Sequence, residues 1–148
     1  MPLTDGDHIR GLLGTYCALI DAGDFAGVGA LMAHAVLCTE DGTPIAAGAA
    51  EVEKLYAGLV VLHDDGTPHT QHVVINTVLE DGPNATMTAR SAYVVFQALP
   101  DLPLQPIVTG SYLDTFDQGH DGRWRFRERR FGIGRSGTLE HHLAPGAI

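Results

Sequence analysis

Apolar positions at the start of the chain recur at helical spacing. Ile9, Leu12, Leu13, Tyr16 and Ile20 make one stripe at a period near 3.6, which predicts an amphipathic helix. Thr4, Asp5 and Asp7 offer capping and dipole-compatible groups at its start. Gly23 can close it, because glycine tolerates the left-handed conformation that ends helices. Asp24 can cap a second helix, whose Phe25, Val28, Leu31 and Met32 face the same core. Val36–Thr39 reads as a short strand that turns at Asp41-Gly42, and residues 49–61 return to helical spacing through Val52, Leu55, Tyr56 and Leu59.

After the break at residues 64–68 the pattern changes to long strands. Residues 70–79 are rich in β-branched side chains and end in a hairpin-like turn at 80–84, and residues 85–99 form the return strand. Pro100, Pro103 and Pro106 predict a loop, since proline cannot donate to a central ladder. A further hairpin is expected from residues 106–117 and 123–133. Helices first and a four-strand meander afterwards predict an α+β fold with the helices gathered on one face of a sheet. At 148 residues the chain fits a single domain, spanning 1–148, with a core that needs no staples.

Charge narrows the partners. Nine Lys and Arg stand against 18 Asp and Glu, a formal net charge of −9. That balance argues against nucleic acid, whose phosphates need a basic footprint, and against an acidic membrane surface. A small organic ligand is the expected partner. Two cysteines, Cys17 and Cys38, make no disulfide framework, the N-terminal segment is too polar for a secretory signal, and no apolar run spans a bilayer. A cytoplasmic protein is therefore expected. No glycine-rich phosphate loop follows a strand, so no cofactor is expected. His69 and His72 point to opposite faces of a strand, and His141 and His142 are adjacent near the end of the chain, so no metal site is expected either.

Two side chains could carry chemistry. Asp21 sits in the last turn of the first helix, where the dipole disfavours a carboxylate and a compensating donor is needed; a solvated acid is the plainer reading. His72 shares a strand face with Val74 and Asn76, and its imidazole suits a general base; a half-buried, hydrogen-bonded histidine is the plainer reading. A carboxylate paired with a histidine can fix its tautomer and stabilise the imidazolium, but fifty residues separate the two. Arg123, Arg125, Arg127 and Arg129 share one strand face by parity, which usually means solvent, so Arg129 enters the interior only near the strand end or beyond a bulge.

The segment Tyr16-Cys-Ala-Leu-Ile-Asp21 with Gly23-Asp24-Phe25, the strand His72-Val-Val-Ile-Asn76, the run from Leu102 to Tyr112, Asp121-Gly-Arg-Trp-Arg-Phe126 with Glu128-Arg129, and Thr138 to Leu143 together resemble SnoaL-like proteins of the nuclear transport factor 2-like superfamily. The resemblance implies a cone-shaped α+β barrel: three N-terminal helices on a highly curved mixed sheet that encloses a pocket. It implies a cofactor-independent lyase or isomerase, dehydratase- or cyclase-like, acting on a small hydrophobic substrate. In the enzymes of this family an Asp–His dyad abstracts a proton, so the resemblance makes Asp21 the orienting acid and His72 the base. Tyr16, Asn76, Tyr93 and Arg129 match substrate-contacting positions, Arg129 stabilising developing negative charge. A non-catalytic ligand-binding or assembly module, like the β subunit of ring-hydroxylating dioxygenases, is the other function the fold supports. A homodimer or homotrimer is expected, because a long sheet leaves an apolar face to cover.

Overall fold

The computed structural model describes residues 1–147. Three helices, α1 (Asp5–Asp21), α2 (Phe25–Leu31) and α3 (Gly48–Leu59), pack on six strands: β1 (Val36–Thr39), β2 (Pro44–Ala47), β3 (Thr70–Asp81), β4 (Met87–Leu99), β5 (Leu102–Gln118) and β6 (Trp124–Ser136). The apolar stripe of α1 is buried at Ile9, Leu13, Tyr16 and Ile20. Thr4 and Asp7 close a reciprocal capping box at its start, so two orphan backbone donors are satisfied. Gly23, at a φ of 72°, ends the helix, and Asp24 caps α2 through the Gly27 amide. Among the described residues no helix is long and apolar enough to cross a membrane.

The strand order is β2-β1-β6-β5-β4-β3, with β1 parallel to β6 and every other neighbouring pair antiparallel. The sheet is mixed, as expected, but it is not closed: β2 and β3 end it as free edges, so the hydrogen bonds do not make a barrel. α1 lies against β3 and β6, and α2 against α3. Between helices and sheet sits one apolar core that includes Val28, Met32, Leu37, Val52, Phe116 and Phe126.

The expected loop at Pro100–Pro106 is replaced by strand. The hairpin turns at Pro100-Asp101, and β5 starts at Leu102. Pro106 pairs with Phe96 beside a register shift, and Pro103 falls inside a second shift between the Gln97–Gln105 and Leu99–Leu102 pairs. Both prolines thus lie at bulges, where the missing N–H is tolerated. The second short strand, β2, carries no strand signal of its own: it begins with a proline and continues through Ile45 into two alanines.

Phe116 and Phe126 face each other across β5 and β6, fully buried, with ring centroids 4.7 Å apart. Phe126→Ala is expected to lower stability by about 3–5 kcal/mol, since the lost ring leaves a cavity that surrounding strands cannot fill. Urea unfolding checks this; a loss below about 1 kcal/mol would contradict the assignment of this pair to the core.

Candidate functional site

Asp21 ends α1 directly against β3. Its carboxylate accepts three hydrogen bonds from that strand: from Thr70 Oγ1 at 2.9 Å, from the His72 amide at 2.8 Å and from His72 Nδ1 at 2.6 Å. Thr70 and His72 share one face of β3 because strand side chains alternate. These donors answer the unfavourable helix dipole at Asp21 and fix the imidazole in one orientation. His72 is 8% exposed, and it lines both an inner cavity and an outer groove between α1 and β3.

The inner cavity, of about 170 Å³, lies between α1, α3 and the inner face of the sheet. Tyr16, Tyr56, Tyr93, Tyr112, His72, His142 and Arg129 are the polar side chains of its wall; Ile20, Leu55, Val95, Val108 and Phe131 are among the apolar remainder. The Tyr16 and Tyr56 hydroxyls share a hydrogen bond of 2.8 Å, and the Tyr93 hydroxyl donates to the Gly132 carbonyl at 3.0 Å. Burial holds the Tyr16 and Tyr56 phenols well above their ordinary range, so both remain O–H donors at any working pH.

Arg129 reaches the cavity wall by the route its parity required. Across the β5–β6 ladder Thr115 pairs with Glu128 and Phe116 with Phe126, which leaves Arg127 as an extra residue. The bulge reverses the alternation, so Phe126 and Arg129 both face inward. There Arg129 is fully buried and makes a two-pronged pair with Asp114, Nε to Oδ1 at 2.7 Å and Nη2 to Oδ2 at 3.0 Å. Its Cζ lies 3.7 Å from the Tyr112 ring centroid and 4.3 Å from that of Tyr16. Burial opposes the charged guanidinium, but the Asp114 carboxylate outweighs it and holds Arg129 well above its ordinary value. Arg129 lies in the cavity wall against the two tyrosine rings, and its Nη1 has no hydrogen-bond partner among the described residues.

Asn76 also departs from expectation. A bulge sets Asn76 and Thr77 opposite the single residue Ser91, between the Ile75–Ala92 and Val78–Arg90 pairs, and Asn76 takes a left-handed φ of 55°. The bulge reverses the face, so Asn76 is exposed and borders an outer groove between α1 and β3 instead of the cavity. Tyr16 and Tyr93 do line the cavity.

Three wall residues, and Asp114 behind Arg129, carry no role in the sequence analysis. Asp114 carried a usable signal: Tyr112, Asp114 and Phe116 alternate, so an acid shares a face with two aromatics. Tyr56 and Tyr112 looked like ordinary core. His142, set aside as one of two adjacent terminal histidines, is 4% exposed with its ring centroid 5.8 Å from that of His72. Among the described residues no group of three or more His, Cys, Asp or Glu side chains is placed to hold a metal ion.

A family model for the SnoaL-like domain matches residues 1–130. No curated protein matches the chain in sequence. Among solved structures, ActVI-ORFA from Streptomyces coelicolor is similar at 19% identity and a TM-score of 0.69, over 85% of this chain and 94% of that one. A nuclear transport factor 2-like protein with a cystatin-like fold from Novosphingobium aromaticivorans is similar at 20% identity and a TM-score of 0.70, over 91% and 85%. A protein from the same organism, provisionally assigned as a scytalone dehydratase, is similar at 19% identity and a TM-score of 0.66, over 94% and 91%. At such identities these likenesses show a shared fold.

Two stability predictions follow from the wall. Asp114→Ala strands a buried guanidinium and should lower stability by about 3–5 kcal/mol, whereas replacing Asp114 and Arg129 together with apolar residues should restore most of it. Chemical denaturation of the three proteins decides; equal losses in single and double variants would contradict the pair. Burial, then the neighbouring His72, lowers the His142 pKa from 6.5 to about 4, so the unfolded chain takes up a proton in that window that the folded chain refuses. Stability should therefore fall as pH drops from 6.5 towards 4, and His142→Leu should flatten that fall in urea midpoints measured across the range.

Proposed function

The chain belongs to the SnoaL-like family and has its cystatin-like α+β fold, and from that premise we propose that it is a cofactor-independent lyase or isomerase, dehydratase- or cyclase-like, that abstracts a proton from a small hydrophobic substrate. The observation that carries this reading is the 2.6 Å hydrogen bond between Asp21 and His72 Nδ1, with the imidazole in the wall of an apolar cavity. With Nδ1 donating to Asp21, the neutral ring keeps its lone pair on Nε2, the nitrogen left for the cavity. His72 takes a proton next to a substrate carbonyl or leaving group, and Asp21 stabilises the imidazolium that results.

The tyrosines complete the chemistry. Tyr16 offers its hydroxyl to the oxygen that gains negative charge, and the Arg129 guanidinium against the Tyr16 and Tyr112 rings supports that charge at short range. Because Asp114 neutralises Arg129, the wall presents a dipole more than a free cation, which suits an uncharged substrate.

Proton abstraction can be read without knowing the physiological substrate. Small cyclic ketones incubated with the protein in deuterium oxide should exchange their α-protons, followed by NMR. His72→Ala should slow the exchange about 10²–10⁴-fold, Asp21→Asn by a comparable factor with the fold intact, and the double variant should be little slower than either. Tight ketone binding with no exchange in the wild-type protein would reassign the chain as a non-catalytic ligand binder.

A further inference from the structure

The residues beyond β6 lie outside the span that the family model matches, yet they build one wall of the cavity. The segment is docked through its backbone. The His142 carbonyl accepts from the Val61 amide at 2.7 Å, and the Ala144 amide donates to the Leu59 carbonyl at 2.9 Å. The His141 carbonyl accepts from Gln97 Nε2 at 3.0 Å and from His63 Nε2 at 2.9 Å. Four hydrogen bonds therefore hold residues 141–144 across the end of α3, and they aim the His142 side chain into the wall beside His72.

That side chain is poorly explained as packing. His142 Nδ1 is sealed from solvent and has no hydrogen-bond partner among the described residues. A buried polar nitrogen without a partner opposes folding, and an aliphatic side chain in the same place would not. A histidine ring set in a cavity wall with a nitrogen left unpartnered points to a role other than packing.

We propose that His142 is a ligand-binding residue that hydrogen-bonds a hydroxyl group on a small, uncharged, mainly apolar ring compound held beside His72. A hydroxyl donates and accepts, so it pairs with either tautomer of a neutral imidazole. Ring size follows from volume: an apolar cavity of roughly 150 Å³ holds one benzene ring, and this one is about 170 Å³. One ring with small substituents therefore fits. An anionic ligand is disfavoured, because the Asp21 carboxylate stands behind His72 and Asp114 neutralises the one guanidinium in the wall, which leaves only its Nη1 without a partner.

The inference rests on reading the cavity as a small-molecule site, but not on catalysis by the dyad. Phenol and toluene, matched in size and differing in the hydroxyl, are suitable probes, titrated calorimetrically into the full-length chain. The wild-type protein should bind phenol more tightly than toluene. His142→Leu should weaken phenol roughly threefold to tenfold, leave toluene unchanged, and keep or raise the melting temperature. Phenol, and not toluene, should shift the His142 ring ¹⁵N resonances. Phenol preference that survives Asp21→Asn but is lost in His142→Leu supports the inference even if no exchange is catalysed. A His142→Leu protein that melts earlier while keeping its phenol preference overturns it, and so does a wild-type protein that binds no phenol.

Discussion

The Asp21 carboxylate joins α1 to β3, and the setting of His72 in the cavity wall depends on it. A negative charge at a helix C-terminus is disfavoured by about 0.3–1 kcal/mol, whereas each hydrogen bond to a charged acceptor contributes about 1.5–3 kcal/mol. Three donors from one strand therefore reverse the sign of the local balance. The same three bonds fix the helix end, the strand register and the imidazole together. The three bonds share one acceptor, which is why a structural contact and a candidate proton-transfer group coincide.

Elsewhere the wall solves a second electrostatic problem. A fully buried guanidinium needs a partner, and Asp114 stands opposite it in the β5–β6 register. The Tyr16 and Tyr112 rings pack on the guanidinium where it joins the cavity wall. Cation–π contact with two aromatic faces recovers part of the desolvation cost that the ion pair leaves. The result is a wall that combines tyrosine hydroxyls with a paired guanidinium. His142 adds a neutral nitrogen from a different part of the chain.

Periodic features of the fold were legible in the sequence. The α1 stripe, the capping residues Thr4 and Asp24, and the strand register that sets His72 inward all follow from spacing and local chemistry. What failed were the bulges. One extra residue at Arg127 brought Arg129 inside, one at Asn76 turned that side chain out, and two others let Pro103 and Pro106 lie within β5. A bulge reverses every side chain after it and has no periodicity of its own, so parity arguments hold only up to the next one. Asp114 and His142 were missed for different reasons. Asp114 was readable from its aromatic neighbours, whereas the position of His142 is set by backbone hydrogen bonds of a terminal segment that shows no pattern.

The central claim is that Asp21 holds His72 in the tautomer that leaves Nε2 free for the cavity. Nitrogen-15 NMR of histidine-labelled protein reads this directly, because protonated and unprotonated ring nitrogens resonate far apart. The account predicts that the neutral form of the His72 ring carries its proton on Nδ1 with Nε2 bare, and that this bias is lost in Asp21→Asn. A neutral His72 ring carrying its proton on Nε2 would contradict it.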